Sequence, residues 1–392
     1  MISFDEAMAL LAEHIAPLDA ETIALPKAAG RTLAAGITAA IGSPRRTTSA
    51  MDGYAVRLDS VVPDAPLRVV GEARPGHPYD HPLATGTAVR IFTGAPLPES
   101  ADCVIMQEYA SREGEDVRFS AGFGPACHIR QQGSDFAKGD VLLGQGTRCD
   151  PKALVAIAAG DRADLAVHRQ PRVALLATGD ELAEPGSAQR APYAIPDSTS
   201  YALAALVERE GGVVSTRKRG LDDLPALERQ AGEMLGGADL VVVTGGASVG
   251  ERDFAKPMFA AHGLELLFDK VAIKPGKPVW LGRAGGRLVL GLPGNPTSAM
   301  VTARLFLQPI LALLQGASTV HRWRTMPLAG GLPATGDRET FARAAWASEG
   351  LRPLGNQDSG VQGGLARADW LIRCPPDQAE LPVGAKVQAL QF

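Results

Sequence analysis

Five short segments of the chain place glycine or proline beside a hydroxyl or a carboxylate. They are residues 49–55 (SAMDGYA), 92–96 (FTGAP), 178–182 (TGDEL), 244–250 (TGGASVG) and 292–296 (LPGNP). Turns of this composition let backbone N–H groups approach an anion, while carboxylates hold a metal ion. One such turn is weak evidence, but the set of five points to a site for an anionic ligand and a cation.

The segment 244–250 follows the apolar run 239–243, which is typical of a buried strand. Gly245 and Gly246 allow a tight turn that presents N–H groups to a phosphate. An ordinary glycine-rich turn between a strand and a helix explains this segment equally well. Asp253 favours the functional interpretation, because a carboxylate beside a phosphate loop is repulsive unless a cation lies between them. We therefore predict Asp253 to be a magnesium or oxyanion-site residue.

Two further acids lie close to predicted strands and helices. Glu181 follows the apolar run 172–177, and Asp222 lies just before a predicted helix. A position beyond a strand's carboxyl end makes Glu181 a functional candidate, with a solvated loop charge as the simple alternative. Asp222 is explained equally well as a cap of the helix that begins near Pro225, and Asp223 fits either role.

A basic cluster stands out in this acidic chain. Lys270, Lys274 and Lys277 lie within eight residues, and Pro275 and Pro278 stiffen the loop that carries them. Each one alone is explained as a surface lysine. Together they predict a clamp for an anion.

The loop 292–296 joins a predicted strand to a predicted helix. Pro293 and Pro296, on either side of Gly294 and Asn295, make the loop rigid. The helix N-terminus behind it offers unpaired N–H groups and a positive dipole end to an oxyanion. Like residues 178 and 244, this loop lies beyond the carboxyl end of a strand, where doubly wound α/β domains bind ligands.

The remaining pattern predicts the elements that position these residues. Ser3 and Glu6 form a capping box for an amphipathic first helix. Short apolar runs separated by turn residues make 46–140 a β-rich domain. Apolar strands that alternate with helices over 171–321 predict a doubly wound α/β domain with parallel strands. Short strands over 322–392 predict a small β-barrel.

Composition restricts the class of protein. A chain of 392 residues is expected to form about two to four domains, and the net charge of -4 argues against a general nucleic-acid binder. The four cysteines lack a C-x-x-C pair, which favours buried or idle thiols in a reducing compartment over a zinc site. No stretch approaches the roughly 20 apolar residues that cross a bilayer, and the acidic start lacks the basic residues of a signal peptide. We expect a cytoplasmic protein.

The five segments in this order, with KxxxKPGKP at residues 270–278, resemble the molybdopterin molybdenumtransferase family, to which the C-terminal part of gephyrin also belongs. The resemblance implies a transferase of molybdenum cofactor biosynthesis. Its reaction would be Mg²⁺-dependent insertion of molybdate into adenylylated molybdopterin, with release of AMP. It also implies that residues 151–168, a predicted helix and short strand, return to pack with the N-terminal helix. Residues 1–45 and 141–170 would then form a connecting and dimerisation domain, and 46–140 an insertion.

The resemblance also implies roles for individual residues, beginning with three that would reach the site from the partner subunit of a homodimer: Asp52, Thr93 and Asp135. The other implied catalytic residues are Glu181, Asp222 and Asp253. The implied metal ligands are Asp52, Glu181, Asp222 and Asp253. The implied substrate-binding residues are Thr178, Gly179, Thr244, Gly245, Gly246, Ser248, Lys270, Lys274, Lys277, Pro293, Gly294, Asn295, Pro296 and Ser359, the last of which a solvated turn explains equally well.

Two other functions fit parts of the pattern. The α/β domain also resembles molybdopterin adenylyltransferase, but that enzyme is a single α/β domain, so the inserted β domain and residues 51–54 (MDGY) favour insertion. The other is a non-catalytic pterin-binding scaffold or paralogue: the sequence shows no long linker or second module for a scaffold, and the intact acids argue against an inactive paralogue. The implied protein partners are a second copy, molybdopterin adenylyltransferase and acceptor molybdoenzymes, with neither nucleic acid nor membrane.

Overall fold

The computed structural model describes residues 1–245, 253–317 and 321–392. The chain begins with helix α1 (Phe4–His14), which the predicted capping box starts. The Glu6 N–H donates to Ser3 Oγ at 3.2 Å, and the Ser3 N–H donates to Glu6 Oε2 at 2.7 Å. Two short strands follow, β1 (Ala20–Ala24) and β2 (Ile37–Thr38).

The next part is the inserted β-rich domain. Its strands are β3 (Thr48–Ser49), β4 (Gly53–Val56), β5 (Leu67–Ala73), β6 (Thr87–Ile91), β7 (Cys103–Met106), β8 (Ala110–Glu113), β9 (Asp116–Phe119) and β10 (Ile129–Arg130), and strand β11 (Val141–Leu143) follows the domain. Six of them form one sheet in the order β7-β4-β6-β5-β9-β8, and β10 pairs with β3. The turn between β3 and β4 carries Asp52.

Two cysteines of this domain correct the expectation of idle thiols. Cys103 on β7 and Cys127 form a disulfide, with Cα atoms 4.6 Å apart, whereas Cys149 and Cys374 are free and buried. The sequence hides this pair because 24 residues separate the two cysteines. Only the folded domain brings the segment before β10 onto β7, where the His128 N–H donates to the Val104 carbonyl at 3.4 Å.

The chain leaves the inserted domain through helix α2 (Pro151–Ala159) and strand β12 (Asp164–His168). Asp150 caps α2 by accepting the Ala153 N–H at 2.8 Å. β12 pairs antiparallel with β1, and β11 pairs with β2. The segments before and after the inserted domain therefore lie side by side.

The middle of the chain is a doubly wound α/β domain, as the pattern predicts. Its elements are β13 (Arg172–Thr178), β14 (Leu182–Ala183), β15 (Ile195–Pro196), α3 (Thr199–Arg209), β16 (Val213–Gly220), α4 (Leu224–Gly237), β17 (Leu240–Thr244), α5 (Pro257–Ala260), β18 (Glu265–Phe268), β19 (Ile273–Lys274), β20 (Trp280–Ala284), β21 (Arg287–Leu292), α6 (Pro296–Thr302) and α7 (Gln308–Leu314). The main sheet has the order β16-β13-β17-β21-β20-β18, with parallel pairing from β16 to β21 and antiparallel pairing beyond it. Alternate residues of β13 enter two hydrophobic clusters, one on each face of the sheet.

A π turn, Ala303–Leu307, joins α6 and α7 into one helix of 19 residues. In the described part of the chain this helix alone is long and apolar enough to cross a membrane, with a mean hydropathy of 1.4. This corrects the expectation that no stretch approaches that length. Because 78% of it is buried inside the protein, its apolar character belongs to a core helix.

Helix α1 packs against the α/β domain, which corrects its expected packing against residues 151–168. Phe4, Ala7 and Leu11 are buried in the same hydrophobic cluster as Val173 and Phe306. It is the strand after the helix, β1, that meets the returning chain at β12. The helix and the strand therefore belong to different parts of the molecule.

The chain ends in the predicted small β-barrel, formed by β22 (Arg324–Pro327), β23 (Glu339–Ala347), β24 (Gly350–Pro353), β25 (Trp370–Cys374) and β26 (Lys386–Gln391). The antiparallel order is β24-β23-β25-β26-β22. A bridge between Leu328 and Leu351 joins the two end strands and closes the ring. β19 of the α/β domain adds to β23, so the two domains share backbone hydrogen bonds.

Candidate functional site

Three of the five segments meet at one edge of the α/β sheet. Ala177 on β13 pairs with Thr244 on β17, which in turn pairs with Leu292 on β21. Because these strands are parallel, the turns that follow them emerge together. They open into a cavity of about 730 Å³, whose lining includes twelve predicted site residues: Thr178, Gly179, Glu181, Asp222, Thr244, Gly245, Lys270, Lys277, Pro293, Gly294, Asn295 and Pro296.

Two carboxylates form an acidic part of the lining. Glu181 folds back over Gly179, which has a φ of +143°; a Cβ atom on this glycine would lie 2.6 Å from Glu181 Oε2. The Asp222 N–H donates to Asp180 Oδ1 at 2.9 Å, which ties the turn after β16 to the turn after β13. Asp223 caps α4 by accepting the Ala226 N–H at 3.1 Å. Asp223, and not Asp222, is therefore the cap of this helix.

Two of the three lysines, Lys270 and Lys277, form a basic part of the same lining, next to Pro278. Lys274 lies elsewhere. It ends β19 and lines a neighbouring cavity of about 260 Å³ between the α/β domain and the barrel. The basic cluster of the sequence is therefore divided between two cavities.

The turns that floor the cavity need glycine for space as well as for backbone conformation. Gly245 has a φ of +92°, and a Cβ atom on it would lie 2.5 Å from the Thr178 carbonyl oxygen. A Cβ atom on Gly294 would lie 3.3 Å from Gly245 Cα. The three turns therefore pack closely against one another, without room for a side chain at Gly245.

The barrel contributes one wall of the cavity. A loop of residues 356–362, which we call the barrel loop, brings Gly360 and Gln362 into the lining of the cavity. The predicted Ser359 lies on this loop, and Asn295 Nδ2 donates to its Oγ at 3.2 Å. Asn295 is also the N-cap residue of the 19-residue helix, so the loop closes over a helix N-terminus.

Comparison with known proteins accounts for all four parts of the fold. The description "MoeA N-terminal region (domain I and II)" matches residues 2–160, "Probable molybdopterin binding domain" matches residues 174–313, and "MoeA C-terminal region (domain IV)" matches residues 325–392. The chain is similar to the molybdopterin molybdenumtransferase of Haemophilus influenzae, with 37% identity over 83% of this chain and 80% of that one. It is also similar to molybdopterin molybdenumtransferase 2 of Mycobacterium tuberculosis, with 32% identity over 99% of both chains.

The chain belongs to the molybdopterin molybdenumtransferase family. Its fold agrees with that of a solved relative, the molybdopterin biosynthesis moeA protein from Pyrococcus horikoshii OT3, with a TM-score of 0.86, 26% identity and full coverage of both chains. The family resemblance stated from the sequence is confirmed.

Three residues implied for the family site lie in the inserted domain, and none of them lines the cavity described above. Asp52 and Thr93 meet each other: the Thr93 N–H and Oγ–H both donate to Asp52 Oδ1 at 2.7 Å. These two hydrogen bonds, the backbone one first, lower the pKa of Asp52 below its usual value. Asp135 is exposed on the segment between β10 and β11.

The remaining predictions fall at the edge of the described structure. Gly246 and Ser248 lie outside the described residues. Asp253 is half-buried and does not line the cavity as described, and burial raises its pKa above the usual value. Within the described ranges, no group of three His, Cys, Asp or Glu side chains has the arrangement of a metal site.

The sequence missed part of the lining near β14 and β15. Leu182, Ile195 and Pro196 contribute apolar surface there, and Asp197 and Ser198 contribute polar atoms. Asp197 is only 3% exposed and accepts the Ser200 N–H at 3.1 Å. This hydrogen bond is of the kind that caps the start of a helix, here α3. The place of residues 197–200 beside the cavity depends on the pairing of β14 with β15, which has no clear sequence pattern.

Proposed function

We propose that the protein inserts molybdenum from molybdate into adenylylated molybdopterin and releases AMP. The observation that carries this proposal is one cavity, beyond the carboxyl ends of parallel strands, in which Glu181 and Asp222 share the lining with Lys270 and Lys277. A ligand with a phosphoanhydride needs cations for its phosphates and carboxylates for a metal ion. The names of the similar proteins and the family membership support the same reaction.

The lysines and the turns hold the anions in this proposal. Lys270 and Lys277 place ammonium groups at the cavity, where they attract the phosphates or molybdate. The helix N-terminus at Asn295 adds N–H donors and a positive dipole end. Catalysis then consists mainly of positioning the reactants and stabilising negative charge.

Glu181 and Asp222 fit a Mg²⁺ site by their chemistry. Mg²⁺ is usually held by one or two carboxylates together with substrate phosphates and water, and these two acids provide the carboxylate oxygens. When bound, the ion would neutralise charge on the phosphoanhydride. We infer that Asp253 belongs to the same site, since a nearby cation would offset the burial that now disfavours its ionised form.

Asp52, Thr93 and Asp135 complete the site from a second copy of the chain in this proposal. The carboxylate of half-buried Asp52 is already fixed by two hydrogen bonds from Thr93, and Asp52 does not line the cavity of its own chain. Such an arrangement suits an acid that acts on another subunit's cavity. We therefore propose a homodimer with a shared site.

The test is release of AMP from adenylylated molybdopterin by the purified protein with Mg²⁺, measured with and without molybdate. We expect molybdate-dependent release that Glu181→Gln lowers at least about 100-fold, because the amide cannot replace a metal-binding carboxylate. Glu233→Gln is the matched control, since Glu233 is an exposed acid of α4 that forms a salt bridge with Lys218 at 2.8 Å, outside the cavity lining. It should keep the wild-type rate.

Other outcomes would replace the proposal. Formation of adenylylated molybdopterin from molybdopterin and ATP, without molybdate-dependent AMP release, would identify an adenylyltransferase. Tight binding with no turnover would identify a pterin-binding scaffold or an inactive paralogue.

We further propose a cytoplasmic location and contacts with the adenylyltransferase and with acceptor molybdoenzymes. Pull-down experiments with those proteins would test the contacts.

A further inference from the structure

Arg343 is a buried cation that the proposed reaction does not use. It lies on β23 of the barrel and is 0% exposed. Among the described residues no carboxylate lies within salt-bridge distance of its guanidinium; burial lowers its pKa, and the negative charge of Asp358 offsets only part of that effect. Burying a charge without an opposite charge is costly unless its donors are used in hydrogen bonds. The position of those hydrogen bonds therefore indicates what the residue does.

The guanidinium donates only to one loop. Nη1 donates to the Val361 carbonyl at 3.3 Å, and Nη2 donates to the carbonyls of Asn356 and Asp358, each at 3.1 Å. All three acceptors belong to the barrel loop, residues 356–362. The backbone of Arg343 adds to this, because its N–H donates to Gln357 Oε1 at 2.9 Å and its carbonyl accepts Gln357 Nε2 at 2.9 Å.

The same loop is fastened to the α/β domain on its other side. Thr297 Oγ donates to the Val361 carbonyl at 2.8 Å, so this carbonyl accepts from both domains. Ser198 Oγ donates to Gln362 Oε1 at 3.1 Å, next to the apolar part of the cavity lining. The loop thus bridges the barrel and the α/β domain where Gly360 and Gln362 face the cavity.

We propose that Arg343 is a positioning residue that fixes the barrel loop over the cavity and thereby sets the affinity for the adenylylated substrate. This inference rests on the proposed function for the identity of the substrate. Arg343 does not touch the cavity itself. Its planar fork reaches three carbonyl oxygens at once, which a lysine ammonium on a flexible stem does not do with the same geometry.

The test compares Arg343→Lys with Arg352→Lys, a control in the same barrel at an exposed arginine of β24. For Arg343→Lys we expect KM for adenylylated molybdopterin to rise about tenfold with kcat changed less than about twofold, the pattern of lost binding. Hydrogen exchange of the peptide that covers residues 356–362 should quicken at least about tenfold, while other barrel peptides keep their rates. Arg352→Lys should change none of these quantities.

Two results would overturn the inference. One is an unchanged KM with unchanged exchange of the barrel loop. The other is faster exchange throughout the barrel with a lowered Tm and no specific change in KM, which would make Arg343 a general core residue. If Arg343→Lys does not fold, Thr297→Val removes the donor from the other side of Val361 and should loosen the same peptide. Hydrogen exchange needs no turnover. It therefore shows whether Arg343 holds the barrel loop in place even if the wild-type protein releases no AMP and the proposed reaction is wrong.

Discussion

Among single residues, Thr93 has a direct electrostatic effect on Asp52, because it lowers the pKa of that carboxyl group. Both donors of Thr93, the N–H and the Oγ–H, are directed at the same carboxylate oxygen, at 2.7 Å each. Hydrogen bonds to an ionised carboxylate favour its charged form, which lowers the pKa of Asp52. Asp52 therefore stays ionised to a lower pH than an ordinary aspartate, and the stabilising effect of this shift is lost as pH falls through the lowered pKa.

Replacing Thr93 by valine removes the hydroxyl donor and keeps the backbone N–H. The pKa of Asp52 should rise part of the way to its usual value, because the larger, backbone contribution remains. If ionised Asp52 is needed for AMP release, the acid limb of the kcat/KM profile moves to higher pH. A pH–rate profile of Thr93→Val against wild type measures this. An acid limb that stays in place or moves to lower pH contradicts the role given to this pair.

At the scale of elements, the turns after β13, β17 and β21 define the cavity, and their spacing depends on glycine. In Gly245→Ala the methyl group would lie 2.5 Å from the Thr178 carbonyl oxygen, at a φ of +92° that L-residues avoid. The substitution should lower stability by more than about 1 kcal/mol and raise KM, because β13 and β17 must separate at the site.

Gly236→Ala is the control for this change. Gly236 lies in α4, and a Cβ atom on it would have no neighbour within 4 Å. Alanine at this position should leave KM unchanged. The free energy of unfolding should stay the same or rise by about 0.5–1 kcal/mol, since alanine has less conformational freedom than glycine in the unfolded chain and favours the helix. Thermal unfolding and substrate titration of both variants measure the effects. Equal behaviour of the two variants would mean that the turn tolerates a side chain.

The sequence predicted the elements that obey local rules. Parallel apolar strands followed by glycine-rich turns must share an edge, so the meeting of residues 178, 244 and 292 was accessible from the pattern alone. The barrel loop was not, because its place follows from Arg343 and from closure of the barrel, both of which depend on contacts far apart in sequence. The position of Lys274 was missed for a similar reason: β19 leaves the lysine cluster to pair with β23 of the next domain.

At the scale of the whole molecule, the proposed shared site makes a prediction about mixed dimers. Asp52→Ala and Glu181→Ala homodimers should each be inactive. After subunit exchange, a mixed dimer contains one site with both acids intact and one site with neither. An equal mixture should regain about a quarter of the wild-type rate of AMP release, by random pairing of subunits. If each site were built from one subunit, every site in the mixture would lack one acid and no activity would return.

The path of the chain around α1 has a consequence for how the molecule can be taken apart. Phe4 lies between Phe306 of the core helix and Phe341 of the barrel, with ring centres 5.8 Å and 5.1 Å away. A fragment that begins between residues 160 and 174 would lack Phe4, and the apolar surface of the α/β core that Phe4 covers would be exposed to water. Yet the Arg169 N–H donates to the Asp19 carbonyl at 3.0 Å, so the chain departs and comes back at a single point. Residues 20–168 can therefore be deleted as one segment. Joining residue 19 to residue 169 by a short turn would yield a smaller protein that keeps Phe4 in its packed position, the cavity and the barrel.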